Sequence, residues 1–254
     1  MLRTWRTRRR LSQLDLALDA GVSARHLSFL ETGRSRPSER MVLHLAEKLD
    51  VPLRERNRLL LAAGYAPMYS QHSLYEPELA PIKTALEQLL KAHEPFPAVV
   101  IDRGWNLVAG NQASALLTDG VAEHLLAPPP NVLKIALHPD GMAPRIRNLG
   151  EWRAHLLRDL AAQREQTGDP DLDALYEELA GYPGPTAPPA EHDVFVPLEI
   201  DGLRFLSTRT TFGTAVDVTV SELAIESFFP ADEHTAKTLY ASSERSSSSS
   251  RSAQ

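Results

Sequence analysis

Hydrophobic positions in the first quarter of the chain follow a helical period in short runs, each opened by a capping side chain. Ser12 is a good N-cap for a helix that opens with Gln13, and Leu16, Ala17 and Ala20 then fall on one face. Gly21 stands where the chain must turn sharply, and glycine adopts positive φ at little cost. Val22 plugs the corner, and Ser23 caps a second helix whose apolar face is Leu27 and Leu30. Beyond a loop, Ser38 can cap a helix over about 39–49, with Met41, Val42, Leu45, Ala46 and Leu49 on its apolar face. Another helix, over about 53–63, ends at Gly64 as C-cap. With a first helix that opens at Leu2 and packs through Leu2 and Trp5, residues 1–64 are predicted to form five short helices.

The pattern then changes. Residues 65–80 read as a linker, and 81–92 as an amphipathic helix with Ile82, Ala85, Leu86, Leu89 and Leu90 on one face. A strand over 98–101, a turn at 102–104 and a strand over 105–109 lead to Asn111, a helix N-cap. Residues 132–182 are helical, most clearly over 151–166. Clean alternation returns over 194–200, Asp201-Gly202 is a type I′ turn signal, and 203–212 runs back. A two-residue turn pairs Ile200 with Leu203, Glu199 with Arg204 and Leu198 with Phe205, so the charge pair and the apolar set agree on register. A last strand over 216–228 changes parity near Ser221 and Glu222, which a bulge would explain. A helix over 231–241 closes the domain, and the serine-rich residues 242–254 are expected to be disordered. The expectation is a helical domain over 1–64, a linker over 65–80, and an α+β domain over 81–241. The sheet of that domain should be antiparallel, with helices on one side.

Charge separates the two domains. Residues 1–64 carry 13 Lys and Arg against 7 Asp and Glu, while the remainder carries 14 against 26. A basic first quarter on an acidic body suggests a phosphate-facing domain attached to one that does not touch DNA. The chain has no cysteine, which excludes disulfides and thiol chemistry. No apolar run approaches the roughly 20 residues of a membrane span, and no signal peptide is visible. A cytoplasmic, nucleoid-associated protein with no membrane partner is expected. The nine histidines are scattered without helix spacing for a metal, and no nucleotide loop or catalytic constellation is present, so neither metal nor enzyme activity is expected.

Two short helices joined by a tight glycine turn place the second one in a DNA major groove. Ala24, Arg25 and Ser28 should then point outward while Leu27 points in, and Phe29 could meet thymine methyl groups. Arg25 is the best base reader, since arginine bonds a guanine edge bidentately. Gln13 and Ser23, with Thr32, Arg34, Arg36 and Ser38 in the loop beyond, are phosphate candidates, although Ser38 could be only a cap. The segments SQLDLA, AGVS, LETGR and RPS resemble the repressor-like helix-turn-helix of xenobiotic-response-element regulators. The resemblance implies an ion pair between Arg6 and Glu31, with Arg8, Arg9 and Arg10 on the surface or facing phosphate. A single such module per chain reads DNA best as a homodimer.

The rest of the chain resembles the MmyB-like transcription regulators, through LLKAHEPFPAVVIDRGWNLVAGNQA at 89–113 and DVTVSELAIESFFPADEHTA at 217–236. The strand, turn, strand and asparagine-opened helix at 98–111 is also how many PAS-like sensor domains begin. The resemblance implies a PAS-like domain that holds a small apolar ligand such as a fatty acid. Trp105, Leu107, Trp152, Leu156, Phe195, Leu198, Phe205 and Phe212 are candidates for the pocket wall or for plain core. Arg145, Arg147 or Arg209 could hold a carboxylate head group. The functional expectation is a transcription regulator controlled by an apolar ligand. Its alternative is an antitoxin-like DNA-binding module whose second domain clasps a protein partner.

Overall fold

The computed structural model describes residues 1–185, 187 and 195–251. It divides into two compact units, Met1–Ser73 with Ala162–Asp169 and Gly213–Ser221, and Leu74–Ala161 with Pro170–Phe212 and Glu222–Gln254.

The N-terminal unit contains five helices before residue 64: α1 (Leu2–Arg8), α2 (Gln13–Asp19), α3 (Ala24–Glu31), α4 (Glu39–Lys48) and α5 (Leu53–Ala62). Their starts are set by side chains. Ser12 Oγ accepts the Asp15 N–H while the Asp15 carboxylate accepts the Ser12 N–H, a reciprocal capping box. Those bonds from Ser12 hold the Asp15 carboxyl below its ordinary pKa. Ser23 and Ser38 cap α3 and α4 by accepting the N–H groups of His26 and Met41. Gly21 turns between α2 and α3 at φ +64°, in open space, so the backbone angle alone requires glycine there. Trp5, Leu16, Leu27, Leu45, Leu49 and Leu60 close the core.

One polar link ties the first helix to the third. Arg6 Nε and Nη2 donate to the two carboxylate oxygens of Glu31 at 2.6 and 3.0 Å, and Nη1 donates to the Leu11 carbonyl. Gln13 Nε2 adds a bond to Glu31 at 2.7 Å. The Glu31 side chain is 1% exposed. Burial works to raise its pKa, but the Arg6 and Gln13 bonds and the Arg6 charge outweigh it and leave the group below the usual carboxylate range. Arg9 is turned back onto the fold. It donates to the carbonyls of Leu49 and Asp50 at the end of α4, and both Arg8 and Arg9 lie over the Trp5 ring.

The remaining elements are α6 (Ala80–Ala92), β1 (Ala98–Ile101), β2 (Leu107–Gly110), α7 (Ala115–Thr118), α8 (Glu123–Leu126), α9 (Val132–Leu137), α10 (Leu149–Thr167), α11 (Pro170–Gly181), β3 (Leu198–Ile200), β4 (Leu203–Thr211), α12 (Val218–Ser221), β5 (Ala224–Pro230) and α13 (Glu233–Arg251). The strands form one antiparallel sheet in the order β2-β1-β5-β4-β3. Strand parity sorts its apolar residues. Val99, Ile101, Leu198, Ile200, Phe205 and Phe228 enter the main core with α7–α11, while Ala98, Val100 and Ile225 pack against Leu86 and Leu90 of α6. Helices therefore cover both faces rather than one, because β1 is apolar at every position. The β3–β4 hairpin has the expected pairing, Leu198 with Phe205, Glu199 with Arg204 and Ile200 with Leu203. Asp201 and Gly202 both have positive φ, as a type I′ turn demands.

Three further expectations are corrected. The last strand does not run from 216 with a bulge. Asp217 accepts the N–H groups of Thr219 and Val220 and starts α12, so the parity change is a helical turn followed by β5. The serine-rich tail is not disordered throughout. The closing helix α13 extends to Arg251, with Ser242 Oγ bonded back to the Thr238 carbonyl, while 252–254 fall outside the described residues. The expected strand over 194–200 is a strand only from Leu198, and Val194 lies outside the described residues. No helix among the described residues is long and apolar enough to cross a membrane.

Removing one partner of the Arg6–Glu31 pair leaves a buried charge uncompensated. Arg6→Ala is expected to cost about 3–5 kcal/mol in denaturant unfolding followed by circular dichroism. Because the folded Glu31 pKa is depressed, its stabilisation is full above the ordinary carboxylate pKa and is lost as pH falls through the folded value. That contribution to the acid limb should vanish in Arg6→Ala. A loss below about 1 kcal/mol would place the pair with ordinary surface ion pairs.

Candidate functional site

On the N-terminal unit, α3 turns Leu27 inward and presents Arg25 to solvent, with the Arg25 guanidinium 5.3 Å over the Phe29 ring. Ser28 and Phe29 are half-buried, and Ala24 packs partly against the core. Thr32 and Arg34 are exposed, but the Thr32 hydroxyl donates to the Ser28 carbonyl at 2.8 Å. Arg36 turns back across the Tyr65 ring, with Nε 3.3 Å from the Ala63 carbonyl. Ser23 and Ser38 use their oxygens as caps. The Gln13 amide, expected to meet a phosphate, is instead committed to Glu31. Arg25, in the first turn of α3, and Arg34, in the loop beyond it, are thus the expected side chains that extend outward as cations.

In the α+β unit, the face of the sheet opposite α6 does not pack solidly. Val99, Trp105, Leu107, Ser114, Leu117, Thr118, Val132, Leu133, Ile135, Ala136, Met142, Trp152, Leu156, Leu198, Glu226 and Phe228 line a small cavity of about 80 Å3. Five expected wall residues are there: Trp105, Leu107, Trp152, Leu156 and Leu198. Three are elsewhere. Phe205 is fully buried core, Phe212 packs on the α6 side of the sheet, and Phe195 precedes β3 and is 42% exposed. Phe212 lies beyond the end of β4, so strand alternation does not govern it.

The backbone holds Trp105 in an uncommon conformation, φ +64°, which explains why β2 starts at Leu107 and not at 105. Asp102 sustains that turn by accepting the N–H groups of Gly104 and Asn106 and the Asn106 side-chain amide. Above the Trp105 ring, at 4.0 Å from its centroid, lies the Arg209 guanidinium. Arg209 reaches Glu226 at 3.4 Å. Burial, helped by Asp159, pushes the Glu226 pKa up, and Arg209 opposes it. Burial also lowers the pKa of His155, with Asp159 opposing it and Arg158 and Arg209 adding to the effect. Trp152 is 3% exposed and its indole N–H has no hydrogen-bond partner among the described residues.

Glu226 is the functional candidate that the sequence reading missed. It sits on β5 between Ala224 and Phe228, on the inward parity, but a strand drawn from 216 with a bulge hides that position. The arginines proposed for a carboxylate head group are placed differently. Arg145 is bound to Asp201 at 2.6 Å and to the Leu116 and Asp119 carbonyls, Arg147 is exposed, and Arg209 is paired with Glu226. Asn111 does more than cap. Its Oδ1 accepts the N–H groups of Ala98 and Ser114, and its amide donates to the carbonyls of Leu90 and Phe96, joining α6, β1 and the turn that carries Ser114 into the cavity wall. Folding also gathers His124, His138 and Asp140, whose ligating atoms lie within 4.8 Å of one another. One of those atoms, His138 Nδ1, already accepts the Asp140 N–H at 3.0 Å.

The family model for the MmyB-like transcription regulator ligand binding domain matches residues 82–241. A helix-turn-helix model matches residues 2–56. Comparison with curated proteins finds no match.

Leu107 tests whether the gap is a binding cavity. Leu107→Trp should fill it and abolish saturable uptake of an apolar dye such as Nile red, with little change in melting temperature. A packed core would instead be overfilled, costing about 1–3 kcal/mol, and dye uptake would persist.

Proposed function

The chain belongs to the MmyB-like transcription regulators, and we propose that it is a bacterial, sequence-specific regulator whose DNA affinity is set by a small apolar molecule with a fatty-acid-like body. The observation that carries this reading is the pairing, on one chain, of a capped helix-turn-helix presenting Arg25 with a sheet face left open against Trp105, Leu107, Trp152 and Leu156. Arg25 reads a base edge, with Ser28 and Phe29 beside it, and Arg34 meets phosphate. Arg6, Gln13 and Glu31 hold α1 and α2 against α3, so that its outward face is presented rigidly.

Control needs two conformations that differ in ligand affinity. The Asn111 bonds supply a physical connection, since the Ser114 turn borders the cavity and the same amide holds the end of α6. A ligand that displaces the cavity wall would shift α6, which follows the linker. The exposed apolar side chains Met68, Tyr75 and Leu89 support a homodimer with contacts from 65–92, working in the cytoplasm on two half-sites about one helical turn apart.

Arg25→Ala should weaken specific operator binding by about 1–3 kcal/mol and relax base preference at one position of each half-site, read by a binding-site selection. Equal loss on specific and random DNA would make Arg25 a phosphate contact. Sedimentation of the full chain with and without operator DNA should show two chains per site; one chain per site at micromolar concentration would reject the dimer. Stoichiometric co-purification of a second polypeptide, with no uptake of apolar molecules, would favour the antitoxin-like alternative.

A further inference from the structure

Away from the cavity and the recognition helix, folding brings two imidazoles to one carboxylate. His124 lies on α8, His138 directly follows α9, and Asp140 stands in the turn beyond. His124 Nε2 is 3.9 Å and His138 Nδ1 is 3.8 Å from the same Asp140 oxygen, Oδ2. The two rings meet edge to face at 5.4 Å, and the Tyr182 ring stands against His138 at 4.9 Å. Backbone bonds fix both segments. The Asp140 carbonyl accepts the Ala122 N–H at 2.9 Å, just ahead of α8, while the His138 and Ile135 carbonyls accept the N–H groups of Gly141 and Met142. The turn is tight enough that a Cβ on Gly141 would fall 2.2 Å from the Ile135 carbonyl oxygen. Among the described residues Asp140 has no lysine or arginine partner; the two imidazoles are its ion-pair neighbours, and Lys134 of α9 is bound to Glu178 at 2.8 Å.

We propose that His124, His138 and Asp140 bind a divalent transition-metal ion, zinc above all, with water completing its coordination. Two imidazole nitrogens and one carboxylate oxygen suit zinc, nickel or copper, whereas calcium and magnesium take oxygen ligands. Zinc bonds of about 2.0–2.1 Å set tetrahedral ligand atoms about 3.3 Å apart. Each imidazole therefore has to close on Asp140 by about half an ångström. His124 and Asp140 are exposed, so the ion enters from solvent and their side chains have room to adjust. The His138 Nδ1 lone pair that accepts the Asp140 N–H passes to the metal, and water takes over that exposed N–H. The ion ties α8 to the turn that follows α9. Because α9 brings Leu133, Ile135 and Ala136 to the cavity wall, the metal steadies one side of that wall without entering it.

The test is calorimetric titration of the full, untagged chain with zinc chloride at pH 7.5, in a buffer that does not bind metal. About one ion per chain should bind at micromolar zinc and raise the melting temperature. His124→Gln and Asp140→Asn should each weaken binding at least about tenfold and remove that rise. His124→Gln is the decisive variant, because the His124 side chain makes no hydrogen bond among the described residues and its loss should leave the metal-free melting temperature unchanged. His234→Gln, at an exposed position of α13, should bind zinc as the parent does. Magnesium in about tenfold excess should not displace the zinc. Zinc binding undiminished in His124→Gln and Asp140→Asn assigns the ion to other histidines and overturns the inference, as does the absence of saturable binding at micromolar zinc. Neither result touches the reading of the helix-turn-helix or of the cavity.

Discussion

β1 lies between β2 and β5 and has to bury both its faces, which a run such as Ala98-Val99-Val100-Ile101 does without stranding a polar side chain. Its neighbour β5 meets the same demand, with Ile225 toward α6 and Ala224 and Phe228 toward the main core. The whole α+β unit is arranged around this two-sidedness. The α6 side closes tightly over small and branched residues. The other side is covered by the long helix α10, which brings Trp152 and Leu156, and by short segments whose starts are fixed by asparagine caps at Asn111 and Asn131. The cavity is the space left between the sheet and these helices.

What stands out against that arrangement is a carboxylate. Glu226 interrupts an apolar cavity wall and holds an ion pair with Arg209 at 3.4 Å, while Trp152, elsewhere in that wall, has an indole N–H without a partner among the described residues. Breaks in local consistency of this kind are where function is expected to sit. The N-terminal unit shows the opposite character. Its buried charges, Arg6 and Glu31, are fully paired and further bonded by Gln13 and the Leu11 carbonyl, and its polar groups serve alignment of helices.

The helix-turn-helix was legible because each boundary is announced locally. Ser12, Ser23 and Ser38 cap, Gly21 turns, and the apolar spacing between them leaves one answer. The β3–β4 hairpin was legible for the same reason, since Asp201-Gly202 and the Glu199–Arg204 pair, 3.0 Å apart, specify one register. Five wall residues of the cavity followed from strand and helix faces. The failures were positions decided by distant contacts. Nothing near Asp217 in the sequence separates an N-capped turn from a bulged strand, and that choice fixed which face Glu226 takes. Gln13 reads as an exposed helix opener until Glu31, 18 residues on, is placed beside it. The approach of His124 to His138 and Asp140 likewise belongs to loops, where no period applies.

The distribution of tryptophan has a practical side. The chain has three, and Trp105 and Trp152 border the cavity while Trp5 is buried in the N-terminal unit beneath two arginines. With Trp5 replaced by phenylalanine, the remaining intrinsic emission would come from the cavity wall alone. Water entering that space would shift it to the red, and an apolar guest would shift it to the blue. The protein thus carries its own optical gauge of whether the cavity is wet or filled, with no label attached.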